Sequence, residues 1–120
     1  MNNTNKKVKH PLKHSSTENL KKRKTDILAS FSVPENVLRS SLITRFIKCG
    51  KLNCRCASSE GHESLYLSSF YHGHTYLDHV PKSYAEKVSQ YLNDYETVSG
   101  LLVELSEINL ELFRRKELEV

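Results

Sequence analysis

From Tyr84 to Leu112 an apolar side chain returns at alternating steps of four and three: Tyr84, Val88, Tyr91, Tyr95, Val98, Leu102 and Leu105, then Asn109 and Leu112. This spacing lays one stripe along a helix, and its persistence has the a/d form of a heptad pattern. Pro81 suits a first helical turn, and Ser83 with Glu86 has capping-box spacing. Together they predict a helix over about residues 82–116. Asn109 takes an a position, where a buried amide costs stability but fixes register and chain number. Ala85, Leu92, Leu101, Ile108 and Phe113 fall at e or g positions, so the stripe is wider than a two-stranded seam needs. The helix is therefore expected to form the backbone of the core. Its C-terminal half, with Leu102, Leu105, Asn109 and Leu112, is left for a protein partner or a second copy. Gly100, away from the seam, weakens the helix by about 1 kcal/mol relative to Ala and marks an expected kink or break.

Upstream, Ser32 and Glu35 repeat the capping-box spacing around Pro34, and Val33 and Val37 form a candidate hydrophobic staple. With Leu38, Ser41, Leu42 and Phe46 they predict a helix over about 34–47. Two runs rich in Tyr, Leu, Thr and Val, Leu65–Tyr71 and Thr75–Val80, flank His72-Gly73, where glycine supplies positive φ. They predict a β-hairpin. The fold class expected is α+β: an N-terminal helix, a zinc-knuckle-like loop, a hairpin and a long C-terminal helix. Tyr66, Phe70, Tyr71 and Tyr76 on the hairpin are either its packing face or a platform for unpaired bases. His72 and His74 are exposed turn residues, phosphate contacts or metal ligands.

Charge is unevenly spread. Residues 1–26 hold eight Lys/Arg and two acids, a net +6, whereas the rest of the chain nets −2. With few apolar positions, the segment over about residues 1–30 is expected to be a disordered basic tail, and 31–120 a single small domain. The run Lys21-Lys22-Arg23-Lys24 reads as a nucleic-acid or nuclear-import patch, or as a solvated tail. No apolar run approaches the roughly 18 residues of a membrane span, and the first residues lack a secretory h-region. The expected compartment is the cytoplasm, with no membrane partner.

All three cysteines fall within Cys49–Cys56, giving C-x4-C-x-C-x5-H with His62. An odd number leaves a disulfide framework one thiol over, and a reducing compartment favours metal or redox roles. Three thiolates and one imidazole make a complete tetrahedral zinc set: Cys49, Cys54, Cys56 and His62. His72, His74 or His79 is the alternative fourth ligand. Lys48, Lys51 and Arg55 would favour thiolates and are candidate nucleic-acid contacts. A closed four-ligand site is structural and leaves no position for a reactive water. Unliganded or redox-active thiols are the other reading, although the oxidoreductase C-x-x-C in a βαβ setting is missing.

Cys49-Gly50-Lys51, Cys54-x-Cys56, His62, the Tyr/Leu strand with its glycine turn, Val80-Pro81 and the long helix resemble an uncharacterised prokaryotic family. That family has the pattern C-G-K-x-x-C-x-C…H-G-P-Y-Y. The resemblance covers about residues 36–113 and departs at Glu63-Ser64, where the family has Gly-Pro. It implies that Cys49, Cys54, Cys56 and His62 are the metal positions, that there is no catalytic residue, and that the setting is a mobile element with a transposase.

The sequence contains no G-x-S-x-G elbow, P-loop or H-E-x-x-H. A cysteine with His62 as nucleophile and base is the weakest reading. The expected function is that of a zinc-stabilised, nucleic-acid-associated accessory protein. The alternative is an assembly module that works through the long helix.

Overall fold

The computed structural model describes residues 10–48, 50–58 and 61–119, apart from the side chains at 56 and 57. In order these are α1 (Thr17–Ser30), β1 (Ser41–Ile47), β2 (His62–Tyr71), β3 (His74–Val80) and α2 (Ala85–Arg114). Short 3-10 turns occupy Arg55–Ser58 and Lys82–Tyr84. The α+β class, the hairpin and the long C-terminal helix stand as the sequence predicts. The chain divides into two units: Pro34–Thr97, and the residues up to Val33 with those from Val98 onward.

The Pro34–Thr97 unit holds an antiparallel sheet of order β1-β2-β3. β1 is a correction, because a helix was expected over 34–47. Ile43, Thr44, Phe46 and Ile47 are β-branched or aromatic, and they suit a pleated surface. All seven residues of β1 pair with β2, from Ser41↔Ser68 to Ile47↔His62. A short apolar run is ambiguous in period, and the waiting edge of β2 decides it. β2 and β3 join through His72 (φ 53) and Gly73 (φ 82). Two consecutive positive φ values match the type I′ turn, whose twist fits a two-residue hairpin. Tyr71 donates its hydroxyl to the Arg39 carbonyl at 3.0 Å, and the Arg39 guanidinium donates to the Phe70 carbonyl at 2.6 Å. Leu38 N–H donates to the Tyr91 carbonyl at 3.2 Å, tying the approach to β1 onto α2. Leu42, Leu65, Leu67 and Val80 share one face of the sheet by register. Val80 is the buried side chain of that face, while Ser41, Ser68, Phe70 and Thr75 of the opposite face line a cavity with Leu92, Tyr95 and Glu96 of α2.

In the other unit α1 packs on the C-terminal part of α2. This corrects the expected tail: residues 17–30 are helical. Ser16 caps the start, its Oγ accepting from Asn19 N–H at 3.0 Å, and Glu18 lies in the first turn. Leu20 and Ile27, seven positions apart, bury against Ile108 and Leu112, and Leu12 and Leu101 pack around them. The charged residues between them stay hydrated. The apolar partner comes from the far end of the chain, which a local composition window does not see. α2 continues through Gly100, so the expected break is absent there. It closes in a Schellman motif: Glu117 N–H reaches the Leu112 carbonyl at 2.8 Å and Lys116 N–H the Phe113 carbonyl at 3.0 Å, with Lys116 at φ 60.

Ion pairs tie the two helices. Arg23 donates to both oxygens of Glu104 at 2.6 and 2.7 Å. Arg115 donates to Glu111 at 2.8 Å and also reaches the Thr17 hydroxyl and the Leu12 and Lys13 carbonyls. The Arg23 hydrogen bonds hold the Glu104 carboxyl below the ordinary glutamate range. Those from Arg115, and then from Arg114, do the same for Glu111, against an opposing effect of burial. Each carboxyl therefore binds protons less readily folded than unfolded. Its contribution is present above the unfolded pKa and is lost as pH falls through the depressed native value. Thermal melts should show this unit losing stability as pH drops below about 5. Arg115→Met should flatten that dependence.

Candidate metal and nucleic-acid site

Residues 50–58 lead from the end of β1 to the start of β2. Cys54 N–H donates to the Lys51 carbonyl at 3.2 Å, closing a turn that leads into Arg55–Ser58. This presents a half-buried Cys54 thiol. His62 is the first residue of β2 and pairs with Ile47, the last of β1. The Cys54 Sγ and His62 Nε2 lie 3.4 Å apart. Two ligands of a tetrahedral zinc, at about 2.3 Å for sulfur and 2.0–2.1 Å for nitrogen, sit about 3.5 Å from each other. The pair thus has the separation a shared ion requires, as well as that of a sulfur–imidazole hydrogen bond.

Cys49 and the Cys56 side chain lie outside the described residues. Among the described residues no group of three His, Cys, Asp or Glu side chains gathers. By sequence, Cys49 follows Ile47 by two positions, and Ile47 is the partner of His62. The alternative histidines are placed elsewhere. His72 and His74 are at the far end of the ten-residue β2, about 30 Å of extended chain from His62. The His79 ring stands against Tyr66, with centroids 5.3 Å apart.

Gly61 makes the strand end close. It has φ 113, and a β-carbon there would sit 2.6 Å from the Ile47 carbonyl carbon and 2.7 Å from Lys48 N. Only glycine allows β2 to start this near the end of β1.

The cations separate into two groups. Lys48, Lys51 and Arg55 are exposed beside Cys54. Lys21, Lys22, Arg23 and Lys24 lie on α1, where Arg23 is paired with Glu104 and Lys21 with Glu117 at 3.6 Å. Half of the basic run is thus engaged by this chain's own carboxylates. On α2, Leu112 is buried in the helix-pair core, and Leu105 and Asn109 are half-buried. Leu102 is 51% exposed. The Asn109 Oδ1 is buried with no hydrogen-bond partner.

Sequence reasoning missed one row. The Arg45 guanidinium lies 5.6 Å from the Tyr66 ring centroid, and Tyr66 meets His79 edge-on at 74°. The clue lay in β2, where Ser64 and Ser68 flank Tyr66 at two-residue spacing. Arg45 was hidden by the helical reading of β1.

Among the described residues no helix is long and apolar enough to cross a membrane. No curated protein and no solved structure matches the chain. The family described as Domain of unknown function (DUF6788) matches residues 17–90, which take in α1, the whole sheet and the start of α2. Covering more than half of the sequence, and beginning at α1 rather than after it, this match shows that the chain belongs to the DUF6788 family.

Proposed function

We propose that the chain is a zinc-stabilised, nucleic-acid-associated accessory protein, with the mobile-element setting that its cysteine motif suggests. The observation that carries this reading is the 3.4 Å Cys54–His62 contact at a strand end surrounded by exposed cations. Cys49, Cys54, Cys56 and His62 would hold the ion, whose role is a structural crosslink between the ends of β1 and β2. A tetrahedral set of this kind is closed, so the reading assigns no catalytic step. Lys51 and Arg55 supply phosphate contacts next to it. The α1 run contributes less, because Lys21 and Arg23 are already paired.

The test is metal analysis of the purified full chain, together with binding of labelled oligonucleotides over a salt series. About one zinc per chain is expected, lost in Cys54→Ser and His62→Ala, with chelator lowering the melting temperature. The binding constant should fall linearly with salt on logarithmic axes, with a smaller slope in Lys51→Ala/Arg55→Ala. A metal-free protein indifferent to chelator removes the staple. Absence of binding at low salt removes the nucleic-acid role.

A second reading, self-assembly through α2, is favoured by the exposed Leu102, Val103, Leu110 and Phe113, which lie within about a third of the helix circumference. Light scattering that shows a monomer at all concentrations excludes it.

A further inference from the structure

We infer that two copies of this chain associate through the helix pair, with Asn109 of each facing the other across a two-fold axis. This rests on the self-assembly reading above and names its surface, its symmetry and its central contact.

The argument begins with an oxygen that has nothing to bond. Asn109 Oδ1 is enclosed and has no hydrogen-bond partner. Buried polar atoms are almost always paired, so an exception asks what would pair it. Asn109 is half-buried overall, and with Lys24, Leu112, Leu118 and Glu119 it borders a groove of about 660 Å³. A change of side-chain rotamer turns the amide out of the helix pair and into that groove. An amide there needs both a donor and an acceptor. A second Asn109 supplies both, which is how such residues fix chain number between paired helices.

The surroundings on that side of α2 are apolar. Leu102 and Leu105 stand seven and four residues before Asn109, and Phe113 four after, a spacing that stacks side chains in one stripe. Leu102, Phe113 and Leu118 are exposed. The core between α1 and α2 is a single layer, Leu20 and Ile27 against Ile108 and Leu112. A lone pair covers one side of each helix. A second pair laid over the groove gives a four-helix arrangement, which suits a stripe wider than one partner needs. The Arg23–Glu104 ion pair borders a different cavity, so the polar edge of the pair and the apolar one are separate.

The charges select a copy of the chain over other occupants. The groove carries Lys21 and Lys24 with Glu117 and Glu119. A balanced rim attracts neither a polyanion nor a strongly basic partner. Lys21 and Glu117 already pair at 3.6 Å. Lys24 and Glu119 form no ion pair among the described residues. A two-fold interface uses one patch twice, so the patch must complement itself. A copy offers a carboxylate to Lys24, a lysine to Glu119, apolar side chains to Leu102 and Phe113, and an amide to Asn109.

The experiment uses the full chain, with sedimentation equilibrium and thermal melts over a concentration series. A dimer is expected, with a melting temperature that rises with chain concentration. Asn109→Asp sets two carboxylates against each other on the axis and should weaken association at pH 7 by about a hundredfold. Lys24→Glu and Glu119→Lys should each weaken it by about tenfold, and the double variant should restore it. These two positions keep the test decisive should Asn109→Asp disturb the helix pair. Val103→Ala and Leu110→Ala change exposed side chains about a third of a turn round α2 from Asn109, and they should leave the dimer intact. A dimer indifferent to Asn109→Asp and to both charge reversals overturns this surface and leaves self-assembly standing. Dissociation by Val103→Ala or Leu110→Ala alone overturns it too, and moves the contact to the outer arc of α2. A monomer at all concentrations overturns both this surface and the self-assembly reading.

Discussion

Ile27→Ala should destabilise the helix pair by about 2–5 kcal/mol, the range for truncating a buried isoleucine. Ile27 is fully buried, and its neighbours in the core are Leu20, Ile108 and Leu112. So few side chains hold α1 that a cavity at one of them removes a large share of what docks it. Removing the side chain also removes the contacts of the atoms around it, since the helix backbones cannot collapse fully into the space. Helicity followed on heating should show an earlier transition, and hydrogen exchange should rise over residues 17–30. Leu28→Ala, one position along but 55% exposed, should stay within about 0.5 kcal/mol of the parent. Equal losses at both positions would mean that α1 is not docked by this face.

Gly61→Ala should cost on the order of 2–4 kcal/mol, combining a left-handed backbone with a steric conflict. The atoms a β-carbon would meet are the Ile47 carbonyl group and Lys48 N, which are backbone and cannot swing aside. Relief requires opening the Ile47↔His62 end of the β1–β2 ladder. That movement carries His62 away from Cys54, so metal retention should fall together with stability. Gly50→Ala is the contrast: φ is +88, but nothing lies within 4 Å of the added carbon. It should lose only the backbone preference, about 1–2 kcal/mol. Urea melts of the two variants separate conformational cost from collision.

The parts of this protein that declare themselves locally are legible in its sequence. The steps of four and three from Tyr84 to Leu112 mark α2, because a helix that buries one side must repeat in this way. His72-Gly73 between two β-rich runs marks the hairpin for the same local reason. β1 and α1 depend on distant segments. Ser41–Ile47 has an ambiguous period and becomes a strand only because β2 offers it an edge. Leu20 and Ile27 look too sparse to hold a basic segment until Ile108 and Leu112 are placed opposite them. The candidate site divides along the same line. Cys54 and His62 are recognisable from residue type, and their contact fits the chemistry read from them. The Arg45–Tyr66–His79 row joins three strands and exists only once cross-strand register is known. Lys21 and Arg23 show the converse, since a cationic run in sequence is partly neutralised by Glu117 and Glu104.

The division of the chain at Pro34 and Thr97 makes the sheet unit an insertion within the helical one. For α1 to find Ile108 and Leu112, the chain must bring together the two ends of a 64-residue excursion. The entropy of that closure rises as about (3/2)RT ln n, so an ordered insert with fixed ends lowers it. An ordered insert is therefore expected to favour assembly of the helix pair. An agent that melts the insert should then loosen the pair as well, without touching one of its contacts.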